Sequence, residues 1–453
     1  MPAKKKVKKV TRAQETTKEV EAVLGSVPGQ IFDPTLTSAL FGPNPEFADK
    51  PKKKGEEATV RDRKAHIALI TQSINNQFKG RAVLRSGSQI TNVFVLRRPT
   101  GITTLDIALG GGLPAGGLTQ IIGKYSAGKS YLANLIMTEA QKHYGEDFAA
   151  AVCMTEMRFD KAFAKSKCGL RIPYSEEEIE VFRQINAENG NAPFTEDYER
   201  WLKDGVGTFV EGVGGTAETV LEAAVQLVES NDFQIVLIDS FGALLTAAEA
   251  EHEEGLEGKH RGGAAMVVTQ FMHRLHAALN LPDKDGRPNT TTIIGVNQYR
   301  DNVNAGLYGN PMKVAGGHAL AHGKLVDLHI EQGSRIKMAV NSNQNVVIGK
   351  EINWEILKGK AGCHDGPKGT YSFYFGEHGH GFGIDIYADL LIAGLQTNII
   401  EQSGAWFSYR GERLGQGKDN VAVTLYQHPE IFQAIRKEIL KAVGLNFIVK
   451  EGI

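Results

Sequence analysis

Cysteine is scarce in these 453 residues: Cys153, Cys168 and Cys363 are the whole complement, and no two stand at C-x-x-C spacing. That excludes a disulfide framework and a cysteine-rich zinc site, and it points to a reducing compartment. Net charge is almost nil, with 51 Lys plus Arg against 52 Asp plus Glu. No global basic field therefore draws the chain to nucleic acid, and any such surface has to be local. Long apolar runs are lacking too, and no secretory signal is visible, so the expectation is a soluble, cytoplasmic protein. His252, His260, His318 and His322 have no ligand spacing. They read as polar loop groups and weak phosphate contacts, not as a metal site. What is present is ample apolar content, 42%, and length for one large domain with attachments or for two or three domains.

The most informative stretch is Gly123-Lys124-Tyr125-Ser126-Ala127-Gly128-Lys129-Ser130. It fits G-x-x-x-x-G-K-[ST], the phosphate-binding P-loop. An apolar run, Leu118 to Ile122, precedes it and reads as a buried strand; Tyr131 to Met137 follows and reads as helix. Gly123 and Gly128 let the loop turn its N–H groups inward, and a helix start favours anions. Lys129 can reach the β/γ-phosphates of ATP, and the Ser130 hydroxyl can ligate Mg²⁺. A chance glycine-rich turn is the bland alternative. Strand, loop and helix standing in the required order argue against it.

Around this motif the chain divides. Residues 1–60 form a basic leader, with six cations and no acid between Met1 and Arg12 and a second basic run from Lys50 to Lys54. A disordered arm is the first reading, contact with nucleic acid phosphates the second. Residues 61–99 hold an amphipathic helix from Asp62, packed on its own domain or docked on a neighbouring subunit. The core spans 100–383, with an acidic, polar insertion at 173–205 to which no chemistry is assigned. A small unit occupies 384–453 and ends in an amphipathic helix, Pro429 to Val443.

Within the core, Phe148 to Met154 reads as a buried strand ending at Thr155-Glu156, where an acid can position an attacking water. Phe233 to Asp239 is an apolar strand closed by Asp, the second phosphate-site motif, whose carboxylate holds Mg²⁺ directly or through water. Glu249 to Gly263 reads as a mobile loop. Thr290 to Gln298 is a strand, and Tyr299 to Gly317 a loop long enough to be functional or disordered. Asn353 to Lys360 is a strand carrying Lys358 and Lys360, whose side chains share a face.

In this order the pieces resemble the bacterial RecA recombinase family, from about Thr100 to about Val443. The resemblance rests on TGITTLDIALGGGLPAGGLTQIIGKYSAGKS, on Thr155-Glu156 with Asp160, on Gly295 to Arg300 followed by Gly309-Asn310-Pro311 and Gly316-Gly317, and on Gly404 to Lys418. It implies an α/β fold: a RecA-type P-loop ATPase core with a central, mostly parallel sheet, an N-terminal helical arm and a small α+β C-terminal domain. It implies that Glu156 orients water, Asp239 is linked to magnesium and Gln298 senses the γ-phosphate. Asp160, Phe163 and Phe375 would contact adenine. Lys358 and Lys360 would reach a neighbouring subunit's ATP. Gly255, Lys259, Arg261 and Gly262 would lie in a first DNA loop, and Arg300, Gly309, Asn310, Gly316 and Gly317 in a second.

Departures from the family pattern stand at Ala321, His322 and Asp327, where an interface helix carries Lys, Phe and Arg, and at Met266 and His273, where arginines are expected. The acidic C-terminal tail common in the family is lacking. The implied function is ATP-dependent filament formation on single-stranded DNA, pairing with double-stranded DNA, strand exchange and DNA-stimulated ATP hydrolysis. The alternatives are a hexameric helicase or clock-type ATPase on the same core, and a catalytically quiet filament-forming DNA-binding protein.

Overall fold

The computed structural model describes residues 56–77, 96–156, 158–250, 263–282, 287–301, 312–341, 344–376 and 381–445. The leader up to residue 55 and the stretch expected to be a first DNA loop lie outside them. A two-residue pair, β1 (Arg97–Arg98) with β2 (Leu113–Pro114), leads into the core. The central sheet is built from β3 (Gly117–Gly123), β4 (Ala149–Met154), β5 (Thr208–Val213), β6 (Ile235–Asp239), β7 (Thr292–Asp301), β8 (Met312–Val314), β9 (Val326–Asn341), β10 (Gln344–Gly359), β11 (Lys368–Phe375) and β12 (Phe382–Ile384). Its order is β12-β11-β10-β9-β3-β7-β6-β4-β5, with β8 hanging on β7. From β9 to β5 every pairing is parallel, and from β9 outward to β12 every pairing is antiparallel.

The parallel strands alternate their side chains between two cores, which is why they read as unbroken apolar runs. Ile121, Val152, Leu237 and Ile294 face one core, with Leu132, Ile136 and Met137 of the helix Lys129–Tyr144. Leu118, Cys153, Ile238 and Ile293 face the other, against the helices Ala217–Ser230 and Gly263–Asn280. Covering both faces leaves the strand ends as the place where polar groups meet solvent, and the phosphate loop sits there. Among the described residues all three cysteines are free and buried.

Residues 173–205 contribute two helices, Glu176–Glu188 and Glu196–Lys203, over a satellite core of Tyr174, Ile179 and Leu202. Ser175 and Glu178 close a capping box on the first. The N-terminal helix runs Glu56–Gln77, so it begins inside the stretch read as leader. Its Ile67, Leu69 and Ile70 are exposed. At the other end β13 (Ile400–Ser403), β14 (Trp406–Tyr409) and β15 (Glu412–Gln416) form an antiparallel sheet. It packs with the helices Ile386–Gln396, Lys418–Gln427 and Pro429–Ala442 over Leu390, Phe407, Val421 and Ile435.

Two polar joints bind that unit to the core. Arg436 reaches Asp106 at 3.0 Å and Glu139 at 3.4 Å. Asp389 accepts from the Thr104 N–H at 3.1 Å and from the Thr104 hydroxyl. Burial is the main cause that pushes the Asp389 carboxyl up to about 6, against the Thr104 hydrogen bonds.

Two expectations about the region after Gln298 need correction. Tyr299 to Asp301 continue β7, pair with Val314 to Met312, and are not loop. Gly316 and Gly317 are the cap and first residue of a helix, Gly317–Gly323. The strand expected at Asn353 to Lys360 is the second half of β10, in a hairpin with β9; it ends at Gly359, so Lys360 stands just beyond it.

Candidate nucleotide site

The loop Gly123 to Ser130 emerges from β3 and enters the helix Lys129–Tyr144, as its motif requires. Gly123 is required by space: a Cβ there would lie 2.2 Å from the Ile330 carbonyl oxygen of β9. Gly128 is required by conformation, with φ of 91° at the helix cap. The first turn of that helix carries no acid, so its positive end stays free for an anion. Lys124, Tyr125 and Ser126 are exposed and Ala127 is buried. Lys129 is folded inward, donating to the Gly123 carbonyl at 3.2 Å and to the Lys124 carbonyl at 2.9 Å. Burial lowers its pKa, and the charges of Asp239 and Glu156 oppose that.

Strand ends bring the other groups. The Ser130 hydroxyl donates to Asp239 Oδ2 at 2.8 Å. Burial raises the Asp239 pKa; the Ser130 bond and Lys129 pull it down and Glu156 pushes it up. Thr155 locks the ends of β4 and β6 together. Its N–H donates to the Asp239 carbonyl at 2.9 Å, its hydroxyl donates to the Ser240 carbonyl at 2.7 Å, and it accepts from the Ser240 N–H at 2.8 Å. That seats Glu156 beside Asp239. Gln298, in β7 opposite Gly123, donates from Nε2 to Glu156 Oε1 at 3.2 Å. Its neighbour Asn297 donates to the Ala315 carbonyl at 2.8 Å, tying β7 to the turn before Gly316. Lys129, Ser130, Glu156, Asp239 and Gln298 thus converge on one edge of the sheet. The paired hydroxyl and carboxylate of Ser130 and Asp239 are hard oxygen donors, which suit Mg²⁺.

Asp160 caps the helix Lys161–Cys168, accepting from the Phe163 N–H at 2.8 Å. Phe163 packs edge-on to Tyr131 and Phe382, with ring centres 6.3 Å and 5.9 Å away. Phe375 is half exposed, pairs with Phe382 across β11 and β12, and lies 6.4 Å from Phe373. These aromatics form one cluster centred on Tyr131, which the motif reading passed over although it directly follows Ser130. Lys358 and Lys360 are elsewhere. Lys358 donates to the carbonyls of Ala321 at 2.8 Å and His322 at 3.0 Å, and Lys360 to that of His322 at 3.4 Å. They cap the end of the helix Gly317–Gly323 in their own chain. Gly255, Lys259, Arg261, Gly262, Gly309 and Asn310 lie outside the described residues; the Arg300 backbone pairs with Lys313.

Two side chains that no motif points to also touch the loop. Gln332 of β9 and Lys350 of β10 both donate to the Ser126 carbonyl, at 2.6 Å and 2.7 Å. Only the pairing of the hairpin brings them there, so residue spacing alone carries no signal of them.

The family model of the RecA N-terminal domain matches residues 65–174 and 197–366, and that of the RecA C-terminal domain matches 388–444. The chain belongs to the RecA family. RecA proteins of Methylococcus capsulatus and Syntrophus aciditrophicus are each 32% identical to it over 388 residues. Those matches take in 85% of this chain and 94% and 95% of the two relatives. The RecA of Geobacter sulfurreducens is 30% identical over 387 residues, 85% of this chain and 97% of its own. A crystal structure of the RadB recombinase aligns over 60% of this chain and 94% of its own at 16% identity, with a TM-score of 0.35, too loose to speak to function. The gap in the N-terminal RecA match falls on the helical insertion, whose first helix is Glu176–Glu188. Membership makes this an α/β RecA-type fold and implies a nucleotide-binding ATPase and a RecA-like recombinase at the level of the family. Among the described residues, no helix is long and apolar enough to cross a membrane.

Proposed function

We propose that this protein binds ATP with Mg²⁺ between subunits, polymerises on single-stranded DNA, and exchanges strands with homologous double-stranded DNA while hydrolysing ATP. The observation that carries the reading is the convergence of Lys129, Ser130, Asp239, Glu156 and Gln298 at the ends of the central parallel strands. Ser130 and Asp239 would hold Mg²⁺, which supplies charge neutralisation at the phosphates when bound. Lys129 leaves the loop carbonyls to meet phosphate oxygens. The Glu156 carboxylate orients water for in-line attack, and the Gln298 amide orients Glu156. Gln298 lies on β7, which leads into residues 302–311, so the γ-phosphate contact and the proposed second DNA loop share one strand.

Assembly is supported by two features. The helix Glu56–Gln77 presents Ile67, Leu69 and Ile70 to solvent, and burying such residues against a neighbour is favourable by roughly 2 kcal/mol each. Lys358 and Lys360 lie away from their own P-loop, and in the proposal they exchange the Ala321 and His322 carbonyls for the phosphates of an adjacent subunit's ATP. The match to the RecA C-terminal domain argues against the ring-helicase alternative. ATPase measurement with and without single-stranded DNA, with electron microscopy of the same mixture, tests the proposal. DNA-stimulated hydrolysis and helical filaments are expected. Closed rings, or hydrolysis indifferent to DNA, would overturn it.

A further inference from the structure

We infer that Lys350 and Gln332 are positioning residues for the phosphate loop, holding one of its peptides in the orientation that receives phosphate. The inference rests on the nucleotide-binding reading above and adds residues to that site.

Ser126 stands at φ 57°, a left-handed conformation that a residue with a side chain adopts only when its surroundings impose it. What surrounds it is the middle of the β9–β10 hairpin. Lys350 Nζ and Gln332 Nε2 both donate to the Ser126 carbonyl, at 2.7 Å and 2.6 Å. Beside them Glu331 pairs with Lys124 at 3.4 Å, so adjacent residues of β9 hold adjacent parts of the loop. A peptide unit is planar and its C=O and N–H point opposite ways. Fixing the Ser126 carbonyl outward therefore fixes the Ala127 N–H inward, where it lies 3.3 Å from the Lys124 carbonyl. Lys129 Nζ sits on that same carbonyl, 2.9 Å away. The clasp thus acts on the peptide that adjoins the lysine's resting place.

Released from it, the Ser126–Ala127 peptide is held only by the 3.3 Å bond from the Ala127 N–H to the Lys124 carbonyl, and the inward orientation is lost for part of the time. A ligand that needs the donor then binds with the affinity of the competent fraction only. The clasp touches the loop from outside, so it acts on phosphate binding and not on the attack step. Gln332 is exposed and Lys350 half-buried beside the Phe373 ring, so neither is part of the packed core.

Four variants test this: Lys350→Met, Gln332→Leu, the double, and Lys350→Arg. Lys337→Met, an exposed cation on the same hairpin, is the control. The readouts are the Kd for a fluorescent ATP analogue, KM and kcat for ATP, and Tm. Lys350→Met raises Kd and KM about tenfold and Gln332→Leu about threefold, in line with losing hydrogen bonds from a charged and a neutral donor. The double variant exceeds Lys350→Met by less than the product, because both donors share one acceptor. Lys350→Arg keeps most of the affinity, Lys337→Met keeps all of it, and kcat and Tm stay near wild type throughout. An unchanged Kd in the double variant, an equal loss in Lys337→Met, or a fall in kcat with Kd intact would each overturn the inference. If the wild-type protein itself fails to bind the analogue, the nucleotide reading falls and takes the clasp with it. Binding by wild type with an unaltered double variant sinks the clasp alone.

Discussion

β3, β7, β6 and β4 place the reacting groups at their ends, whereas β9 and β10 bring side chains to the loop from outside and carry others away from it. The parallel half holds Lys129, Ser130, Glu156, Asp239 and Gln298 within reach of one another. The antiparallel wing holds Gln332 and Lys350 on the loop's outer carbonyl, and Lys358 and Lys360 on the helix Gly317–Gly323. One half is a site within a single chain. The other touches that site from the side and holds two ammonium groups on a helix end away from it, the pair proposed above to serve a neighbouring subunit. Under the proposed function, chemistry and assembly divide between the halves of one sheet.

Three variants sharpen or break that division, and a fourth tests the joint beside it. The largest effect belongs to the parallel half. Lys129→Ala should lower kcat/KM for ATP by about 10³-fold or more, since it removes both phosphate binding and transition-state charge. Full activity in that variant would mean the loop does not hold phosphate. Next comes the wing: Lys358→Ala with Lys360→Ala should keep ATP binding and lose about 10³-fold in turnover, as loss of a finger supplied in trans does elsewhere. Mixing this protein with Glu156→Gln protein should restore part of the activity, because a mixed interface can join an intact P-loop and Glu156 to intact lysines. Wild-type turnover in the double lysine variant alone would place the two lysines in helix capping and nothing more.

Glu156→Gln comes third, with kcat down about 10²-fold and ATP affinity retained, because an amide organises water poorly. It should also hold filaments on DNA. Unchanged turnover would reduce Glu156 to a surface acid.

The last effect, read in melting temperature and leaving turnover alone, concerns neither half of the sheet but the joint to the C-terminal unit. The Asp389 carboxyl, ordinarily near 3.8, is pushed up to about 6 by burial. Its folded pKa exceeds its unfolded one, so the folded state binds more protons between these values. Stability from this group is full below the unfolded pKa and is lost as pH rises through about 6. The difference amounts to about 3 kcal/mol at neutral pH. Asp389→Asn copies the protonated form, with an amide that can accept from the Thr104 N–H and donate to its hydroxyl. Its Tm should exceed that of wild type at pH 7 and converge on it near pH 4. Parallel melting curves at both pH values would refute the assignment.

The same two halves differ in how far they could be read from residues alone. Leu118 to Ile122, Phe148 to Met154 and Phe233 to Asp239 are buried on both faces, and an unbroken apolar run is the signature of that environment. The polar groups that close them, Glu156 and Asp239, stand out for the same reason. β9 reads HIEQGSRIKM across its middle, alternating and charged, and its 16 residues passed unnoticed. Such a strand is half solvated, and only a partner reveals it. The last residues of β7 and short β8 read as loop because Arg300, Asp301 and Lys313 are polar, yet their backbones pair. Contacts made by chain pairing across large separations, such as Lys350 with Ser126 or Arg436 with Asp106, leave no trace in local spacing.

The guanidinium of Arg436 is a rivet between three pieces of chain. It joins the helix Pro429–Ala442 to Asp106 near the core's entrance and to Glu139 on the helix that begins at Lys129. Ten residues of helix separate Lys129 from Glu139, about 15 Å of stiff rod. A tug on the C-terminal unit is therefore a tug on the shaft whose tip cradles phosphate. Letting the unit swing without moving that shaft means tearing a buried charge from its partners, at about 3–5 kcal/mol. The Arg436 joint therefore couples the position of the outer unit to the helix whose first residues are Lys129 and Ser130.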